Sequence, residues 1–377
     1  LPGIYVHIPF CRQACHYCDF HFSVSHGFRN RLIPALASEL SSRKSELGNS
    51  EIQTLYFGGG TPTLLSDSEW NILLNAINSN YSLADSLEFT VEANPDDLSS
   101  QNLRLLNSLG VNRLSVGVQS FRDEDLSYMN RAHNARQAIT CIPLAQDMGF
   151  SNISIDLIYG TPGLSDHLWE KNLSTAFSMN IQHVSSYALT VENNTPLQHL
   201  IRKGLAAGPD DETQSAQFMI LQTASVNAGF EPYEISNYAL PGYRSAHNSS
   251  YWEGKAYLGI GPSAHSFDGK NTRSWNIANN ARYVQGIESG SRLSESEILS
   301  PSEQISEYIL IRLRTIEGLN LTTFDNIFGS PATEQLNQKQ KFMPTEWFIP
   351  GNKEIRLSNT GKLFADHIAS ELFPDSI

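Results

Sequence analysis

Cys11-Arg-Gln-Ala-Cys15-His-Tyr-Cys18 places three of the chain's four cysteines within eight residues, in C-x3-C-x2-C spacing. Three thiolates on one loop can hold three irons of a cubane [4Fe–4S] cluster and leave the fourth iron without a protein ligand. Such an open iron suits a small chelator, and the amino and carboxylate groups of a methionine moiety make one. The same cysteines with His16 or His21 would also satisfy a Cys3His zinc site, and three metal-free thiols are a third reading. The cysteines alone leave these open.

Upstream of the loop, Gly3–Ile8 is short, apolar and β-branched, as a strand requires. The pattern repeats at Thr54–Phe57, Leu87–Glu92, Arg113–Val118, Ile153–Ile158 and Val184–Leu189. Helices are predicted between them over Phe28–Leu47, Ser66–Asn78, Ser99–Leu109, Ala135–Met148 and Asp166–Met179, with Ser66 and Ser99 as N-caps. Six strand–helix units in series predict an α/β fold with a parallel sheet. Six is too few for a closed eight-stranded barrel, so a partial (β/α)6 barrel is expected over residues 1–195. Special residues gather at the strands' carboxyl ends, where such folds build their sites. They are the cysteines, Gly58-Gly59-Gly60-Thr61-Pro62, Glu92, Gln119 and Asp156.

A barrel extension is expected over residues 196–290, beginning with helices at Leu197–Gly204 and Asp211–Ala228 and continuing through a Tyr-, Gly-, Ser- and Asn-rich stretch. Ser289–Ser300 reads as a linker, and residues 301–377 as a small winged-helix-like domain. In that domain helices are predicted at Ser302–Arg314, Leu321–Ile327 and Thr360–Leu372, with a strand at Glu354–Leu357. The net charge of −13 argues against nonspecific nucleic-acid binding. Clustered cysteines and the lack of a basic-then-apolar start predict a reducing, cytoplasmic setting. Cys141, alone on an apolar helix face, is expected to be a buried structural thiol.

The cysteine spacing after a first strand, with Tyr17 before the last cysteine, resembles the signature of the radical S-adenosylmethionine (SAM) superfamily, and Tyr56-Phe-Gly-Gly-Gly-Thr-Pro62 resembles its glycine-rich motif. The resemblance narrows to the HemN/HemW group through Ile4–Cys11, Phe57–Leu65, Glu92–Pro95, Gly117–Phe121, Asn130-Arg131, Ile155–Gly160 and Gly259–Ala264. It implies a cluster on Cys11, Cys15 and Cys18. It also implies SAM contacts from Tyr5, Gly59, Gly60, Thr61, Glu92, Gln119, Arg131 and Asp156. Arg131 would pair with the SAM carboxylate, and Asp156 would lie near the ribose.

Within the group, the oxygen-independent coproporphyrinogen oxidases add a fourth cysteine where this chain has Phe20, and they carry an extension before the motif, whereas Cys11 stands near the start here. The Cys-Asp-Phe form and His247-Asn-Ser-Ser-Tyr-Trp252 resemble the HemW branch, whose members bind heme. The resemblance therefore implies a heme chaperone with a cluster and SAM in a regulatory role, and His247 as a heme contact, with His265 a second candidate near the SAM pocket. Implied partners are heme and heme-accepting respiratory membrane proteins, met peripherally at the membrane. A homodimer and the cleavage of SAM stay open, and porphyrinogen decarboxylation is the rival activity.

Overall fold

The computed structural model describes residues 2–48, 50–351 and 353–375. Six parallel strands alternate with helices in the order β1 (Gly3–Ile8), α1 (Arg29–Ser42), β2 (Ile52–Gly59), α2 (Asp67–Asn80), β3 (Leu83–Ala93), α3 (Ser100–Ser108), β4 (Arg113–Gln119), α4 (Asp123–Tyr128), α5 (Ala135–Asp147), β5 (Ile153–Tyr159), α6 (Asp166–Ser178) and β6 (His183–Ala188). Side chains alternate across a strand, so each strand carries two different faces. On β1, Ile4, Val6 and Ile8 are buried under the helices, while Tyr5 and His7 face the other way. β4 repeats this with Leu114, Val116 and Val118 against Arg113, Ser115 and Gln119. The polar sides meet one another, as in the bond from Ser115 Oγ to Asp156 Oδ1 at 3.3 Å. The half-barrel therefore has an apolar outside, sealed by helices, and a polar lumen.

The extension continues the same sheet. It runs α7 (Pro196–Arg202), α8 (Asp211–Asn227), β7 (Glu231–Glu234), β8 (Asn237–Ala239), α9 (Ala246–Trp252), β9 (Tyr257–Ile260), β10 (His265–Phe267), β11 (Thr272–Asn276), α10 (Asn280–Glu288) and β12 (Ser294–Ile298). Among the described residues twelve strands share one sheet, ordered β12-β11-β10-β9-β1-β2-β3-β4-β5-β6-β8-β7. The chain's first strand is thus interior, paired in parallel to β2 on one side and β9 on the other.

The remaining residues form α11 (Pro301–Leu313), β13 (Leu319–Asn320), α12 (Leu321–Phe328), α13 (Ser330–Gln340), β14 (Phe348–Ile349), β15 (Glu354–Leu357), α14 (Asn359–Lys362) and α15 (Ala365–Leu372). They pack around their own core, which includes Leu313, Phe324, Leu336 and Ile368. Their elements begin in the order helix–strand–helix–helix–strand–strand.

Several expectations need correction. Ser289–Ser300 is no linker, because Ser294–Ile298 pairs antiparallel with β11 as the edge strand. Its Ser-Glu composition is that of an exposed edge protected by charge. The expected helix over Thr360–Leu372 is broken into α14 and α15 around Leu363 and Phe364. The first helix ends at Ser42, five residues before the expected Leu47, and Arg43 turns inward. Helices α4, α9, α10 and α13 were not anticipated. The expected N-caps are present, with Ser99 Oγ accepting from Asn102 N at 3.2 Å and Glu69 accepting from Ser66 N at 2.8 Å. Cys141 is buried, 3% exposed.

One buried carboxylate fastens the extension to the barrel. Glu39 on α1 is 0% exposed and accepts from Arg43 Nη1 (2.9 Å), Gly261 N (2.9 Å), Asn276 Nδ2 (2.8 Å) and Tyr283 OH (2.5 Å). Arg43 also donates to Gly259 O at 2.7 Å and Ser266 Oγ at 3.0 Å. Removing one partner of a buried ion pair leaves the other charge uncompensated and costs about 3–5 kcal/mol. Glu39→Ala is therefore expected to lower stability by about that amount in urea unfolding, and Glu39→Gln by less. A loss below about 1 kcal/mol would show that Arg43 needs only its other partners.

Candidate functional site

The cysteine loop leaves the carboxyl end of β1 and is tied down on all sides. Cys11 N donates to Ser23 O at 3.0 Å, and Arg12 Nε donates to Asp97 Oδ1 at 2.6 Å. Asn130 Nδ2 donates to Ala14 O at 2.7 Å, and Gln13 Nε2 to Asn130 O at 2.9 Å. His16 N donates to Met129 O at 3.0 Å, and Leu197 N to His16 O at 2.8 Å. The turn after α4, with Asn130 in a left-handed conformation at φ +55°, thus clamps the loop from the far side of the barrel.

The structure gathers the expected residues around this loop. Thr61 Oγ1 lies 3.8 Å from Cys11 Sγ and accepts from Asn94 Nδ2 at 3.0 Å. Asn94 Oδ1 accepts from Arg131 Nη2 at 2.5 Å, and Arg131 Nη1 donates to Cys15 Sγ at 3.3 Å. A continuous polar chain therefore runs from Cys11 to Cys15 through Thr61, Asn94 and Arg131. Asn94 was not anticipated, although it lies in the quoted Glu92–Pro95 stretch. Arg131 Nη2 also bonds Gly117 O at 2.8 Å, while its Nε is buried with no partner among the described residues. Arg131 is inside the site and not part of a surface salt bridge.

In the lumen, Glu92 accepts from Tyr56 OH at 2.9 Å and from Gly59 N at 3.0 Å. Gly59 is needed for two reasons. Its φ is +99°, and a Cβ there would stand 2.3 Å from the His7 ring. A Cβ on Gly60 would meet the backbone of Ile8 and Phe10 at 2.6–2.8 Å, so this glycine lets strand β2 touch the root of the cysteine loop. Gln119 is 8% exposed and has φ +65°, a conformation costing a non-glycine residue roughly 1–2 kcal/mol. It falls where the β4–β5 register slips. Tyr5 bonds His7 Nδ1 through its hydroxyl at 3.1 Å and packs 6.0 Å from Tyr56.

Burial, reinforced by the neighbouring Asp156 charge, pushes the Glu92 carboxyl up to about 7. Burial pushes Asp156 up to about 6, against the pull of Arg113. Arg113 is 1% exposed and its Nε bonds nothing among the described residues. No sequence signal marked it beyond a cation starting an apolar strand. Burial also raises Cys11 to about 11 and Cys18 to about 12.

His247 is not where a loop histidine was expected. It lies on α9, 1% exposed, beneath the lumen. Its Nδ1 is 2.8 Å from Thr54 Oγ1, its Nε2 is 2.7 Å from Tyr251 OH, and its ring stacks 4.9 Å from Tyr56. Both nitrogens are engaged, which leaves no lone pair free for iron in this arrangement. Burial lowers its pKa to about 3, so it is neutral.

The zinc alternative lacks its fourth ligand in this arrangement. The histidines of the zinc alternative are turned away, His16 Nδ1 to Tyr128 O (3.0 Å) and His21 Nε2 to Asn280 Oδ1 (2.7 Å). Arg131, bonded to Cys15 Sγ, and Glu92, bonded to Gly59 N, offer an amino acid moiety a cation for its carboxylate and an acceptor for its amino group.

A half-barrel whose first parallel strand delivers three thiols to a polar lumen defines a radical SAM protein, and residues 5–176 match the Radical SAM superfamily. That family implies a [4Fe–4S] cluster and SAM. The chain is 34% identical over 98% of its length, and 98% of the relative's, to "Heme chaperone HemW" of Bacillus subtilis (strain 168). It is 32% identical to the Escherichia coli (strain K12) protein of the same name, over 84% of this chain and 83% of that one. The chain belongs to the HemW family. Coproporphyrinogen III oxidase (HemN) from Escherichia coli shares its fold, with a TM-score of 0.85 over 99% of this chain and 90% of that one, at 21% identity. Among the described residues no helix is long and apolar enough to cross a membrane.

The lumen charges give a pH test. Glu92 has a folded pKa of about 7 against 4.5 when unfolded, so the stability it confers is complete below pH 4.5 and lost as pH rises through 7. Glu92→Gln does not titrate. Its stability relative to the parent, both without cluster, is expected to rise by on the order of 2 kcal/mol between pH 5 and pH 8. Thermal unfolding at the two pH values measures this, and a constant difference would mean Glu92 stays ionised throughout.

Proposed function

We propose that this protein binds heme and passes it to acceptor proteins, with a cluster and SAM governing binding or release. The observation that carries this reading is the likeness, across 98% of both chains, to a protein named as a heme chaperone. In support, Phe20 stands, 70% exposed, where the oxidase pattern has its fourth cysteine. The acceptors we infer are respiratory membrane proteins, met from the cytoplasmic side.

In this reading Cys11, Cys15 and Cys18 would hold the cluster, and Arg131 fixes Cys15 Sγ by donating to it at 3.3 Å. Bound there, the cluster would supply redox-active iron with a position open to SAM. Glu92 and the Gly59 and Gly60 backbone would receive the SAM amino end, Arg131 its carboxylate, and Asp156 its ribose hydroxyls. Tyr5, Thr61 and Gln119 would wall the ligand. His247 acts on heme at one remove, by holding the hydroxyl of Tyr251.

Heme titrated into the anaerobically reconstituted protein, followed at the Soret band, tests the reading. Saturable one-to-one binding is expected, together with no consumption of coproporphyrinogen under reducing anaerobic conditions. His247→Ala is expected to weaken binding less than about tenfold and to leave the Soret position unchanged. Absence of saturable binding would sink the chaperone reading, and porphyrinogen turnover would replace it with the oxidase.

A further inference from the structure

On the other side of Tyr5 and His7 from the lumen lies a cleft of about 500 Å³, between the residues that follow Cys18, the β9–β10–β11 strands and helix α11. This lies within the range of about 300–1,000 Å³ typical of small-molecule and cofactor sites. Its walls are aromatic and aliphatic, with Phe20, Tyr251, Tyr257, Phe267 and Ile311 among them. Flat aromatic walls suit a flat apolar ligand.

One cation stands on this cleft with room to meet a ligand: the Arg273 side chain is 38% exposed, and its terminal nitrogens suit a carboxylate. Asp19 and Glu307 are the carboxylates on the same lining. Arg273 already holds Glu307 with one terminal nitrogen and lies over the Phe267 ring at 5.8 Å, which fixes its guanidinium at the cleft wall.

Three histidines also line the cleft, and they differ in what remains free. His7 is used at both nitrogens, Nδ1 by Tyr5 OH (3.1 Å) and Nε2 by His21 O (2.8 Å). His21 Nε2 is held by Asn280 at 2.7 Å. Among the described residues no hydrogen bond engages either nitrogen of His265. Its ring is exposed and stacks on Trp275 at 5.7 Å with 24° between planes. The stack orients an imidazole whose lone pair is unclaimed.

We propose that heme seats in this cleft, with His265 as its axial ligand and with Arg273 receiving a propionate. This placement rests on the heme-binding reading above. It puts the macrocycle against Phe20 and Tyr257, next to the cluster loop but outside the lumen that holds SAM. An imidazole is a sufficient axial ligand for heme iron, and a guanidinium with a free N–H is matched to a carboxylate.

The test uses the full, cluster-loaded chain, titrated with heme and with heme dimethyl ester, whose propionates carry no charge. His265→Ala is expected to move the Soret maximum and change the heme spin-state signature, and free imidazole is expected to restore both. Restoration also shows that the variant is folded. Arg273→Ala is expected to weaken heme binding about tenfold to a hundredfold and to leave the ester's affinity unchanged. If the parent takes up heme and both variants match it in spectrum and affinity, the placement is wrong while the chaperone reading stands. A spectrum altered instead by His21→Ala and not by His265→Ala also overturns it. If the parent takes up no heme, both fall together.

Discussion

The pairing of β1 on both sides is the constraint on which the rest of this structure depends. A first strand at the edge of a sheet would leave the segment after it free on one flank. Here Gly3 to Val6 is bonded to β2 and to β9 at once, so the residues that follow emerge from the middle of a twelve-stranded sheet. The three thiols are delivered from a fixed root, and the clamps from Asp97, Asn130 and Leu197 complete the loop's frame. β9 can take its place beside β1 because Glu39 draws Gly261, Asn276 and Tyr283 onto α1. A side chain on Gly259 would stand 2.0 Å from the His265 carbonyl, so the close β9–β10 approach needs a glycine there. One buried carboxylate thereby sets the position of the strands that border the cleft.

The lumen holds charge at a cost. Glu92 and Asp156 repel each other in a buried space, and burial weakens the ionised form of both. Arg113 offsets part of this from the lumen floor without forming an ion pair within 4 Å of either among the described residues. Such an arrangement is poor for stability alone, since buried ionised groups are tolerated where they are paired or meet a ligand. The strained backbone at Gln119 belongs to the same set of costs. All three fall at carboxyl ends of strands or on the lumen face, where a zwitterion with a ribose would find complementary groups.

Much of this was legible in the sequence, for identifiable reasons. Strand–helix alternation left a period-two signal on β1, β4 and β5, and Ser66 and Ser99 marked helix starts by the chemistry of capping. Cysteine spacing and glycines at strand ends mark the site because thiol geometry and close backbone approach allow few substitutes. What escaped was set by tertiary contact. α4 is six residues long and too short for a periodic pattern, yet it carries the turn that clamps the loop. Ser294–Ile298 has the composition of a solvated linker because an edge strand is itself solvated. α9 does begin on a local cap, Ser245 Oγ accepting from Asn248 N at 3.2 Å, but at seven residues it is too short for a periodic pattern. Its first turn is also held by Glu88, which accepts from Ala246 N at 2.8 Å and His247 N at 2.9 Å, a partner no local window contains. Arg113 was missed for the same reason, as its neighbours come from other strands.

The lumen and the cleft are separate spaces with a shared wall, and that wall is polar and continuous. Tyr5 faces both, its hydroxyl meets His7 Nδ1, and His7 Nε2 meets the carbonyl of His21, three residues past Cys18. His7 is held neutral by burial, its pKa lowered to about 4, so one ring nitrogen carries a proton and the other does not. With the His21 carbonyl able only to accept, Nε2 must be the protonated nitrogen and Nδ1 must accept from the Tyr5 hydroxyl. The direction of both bonds is therefore determined, and Tyr5 cannot turn its hydroxyl proton toward a lumen ligand without abandoning His7. Any rearrangement of the loop that moves the His21 carbonyl acts on His7 and through it on Tyr5. Occupancy of the lumen and the shape of the cleft are in this way joined by two hydrogen bonds of fixed polarity. The control by cluster and SAM proposed above would act through these two bonds.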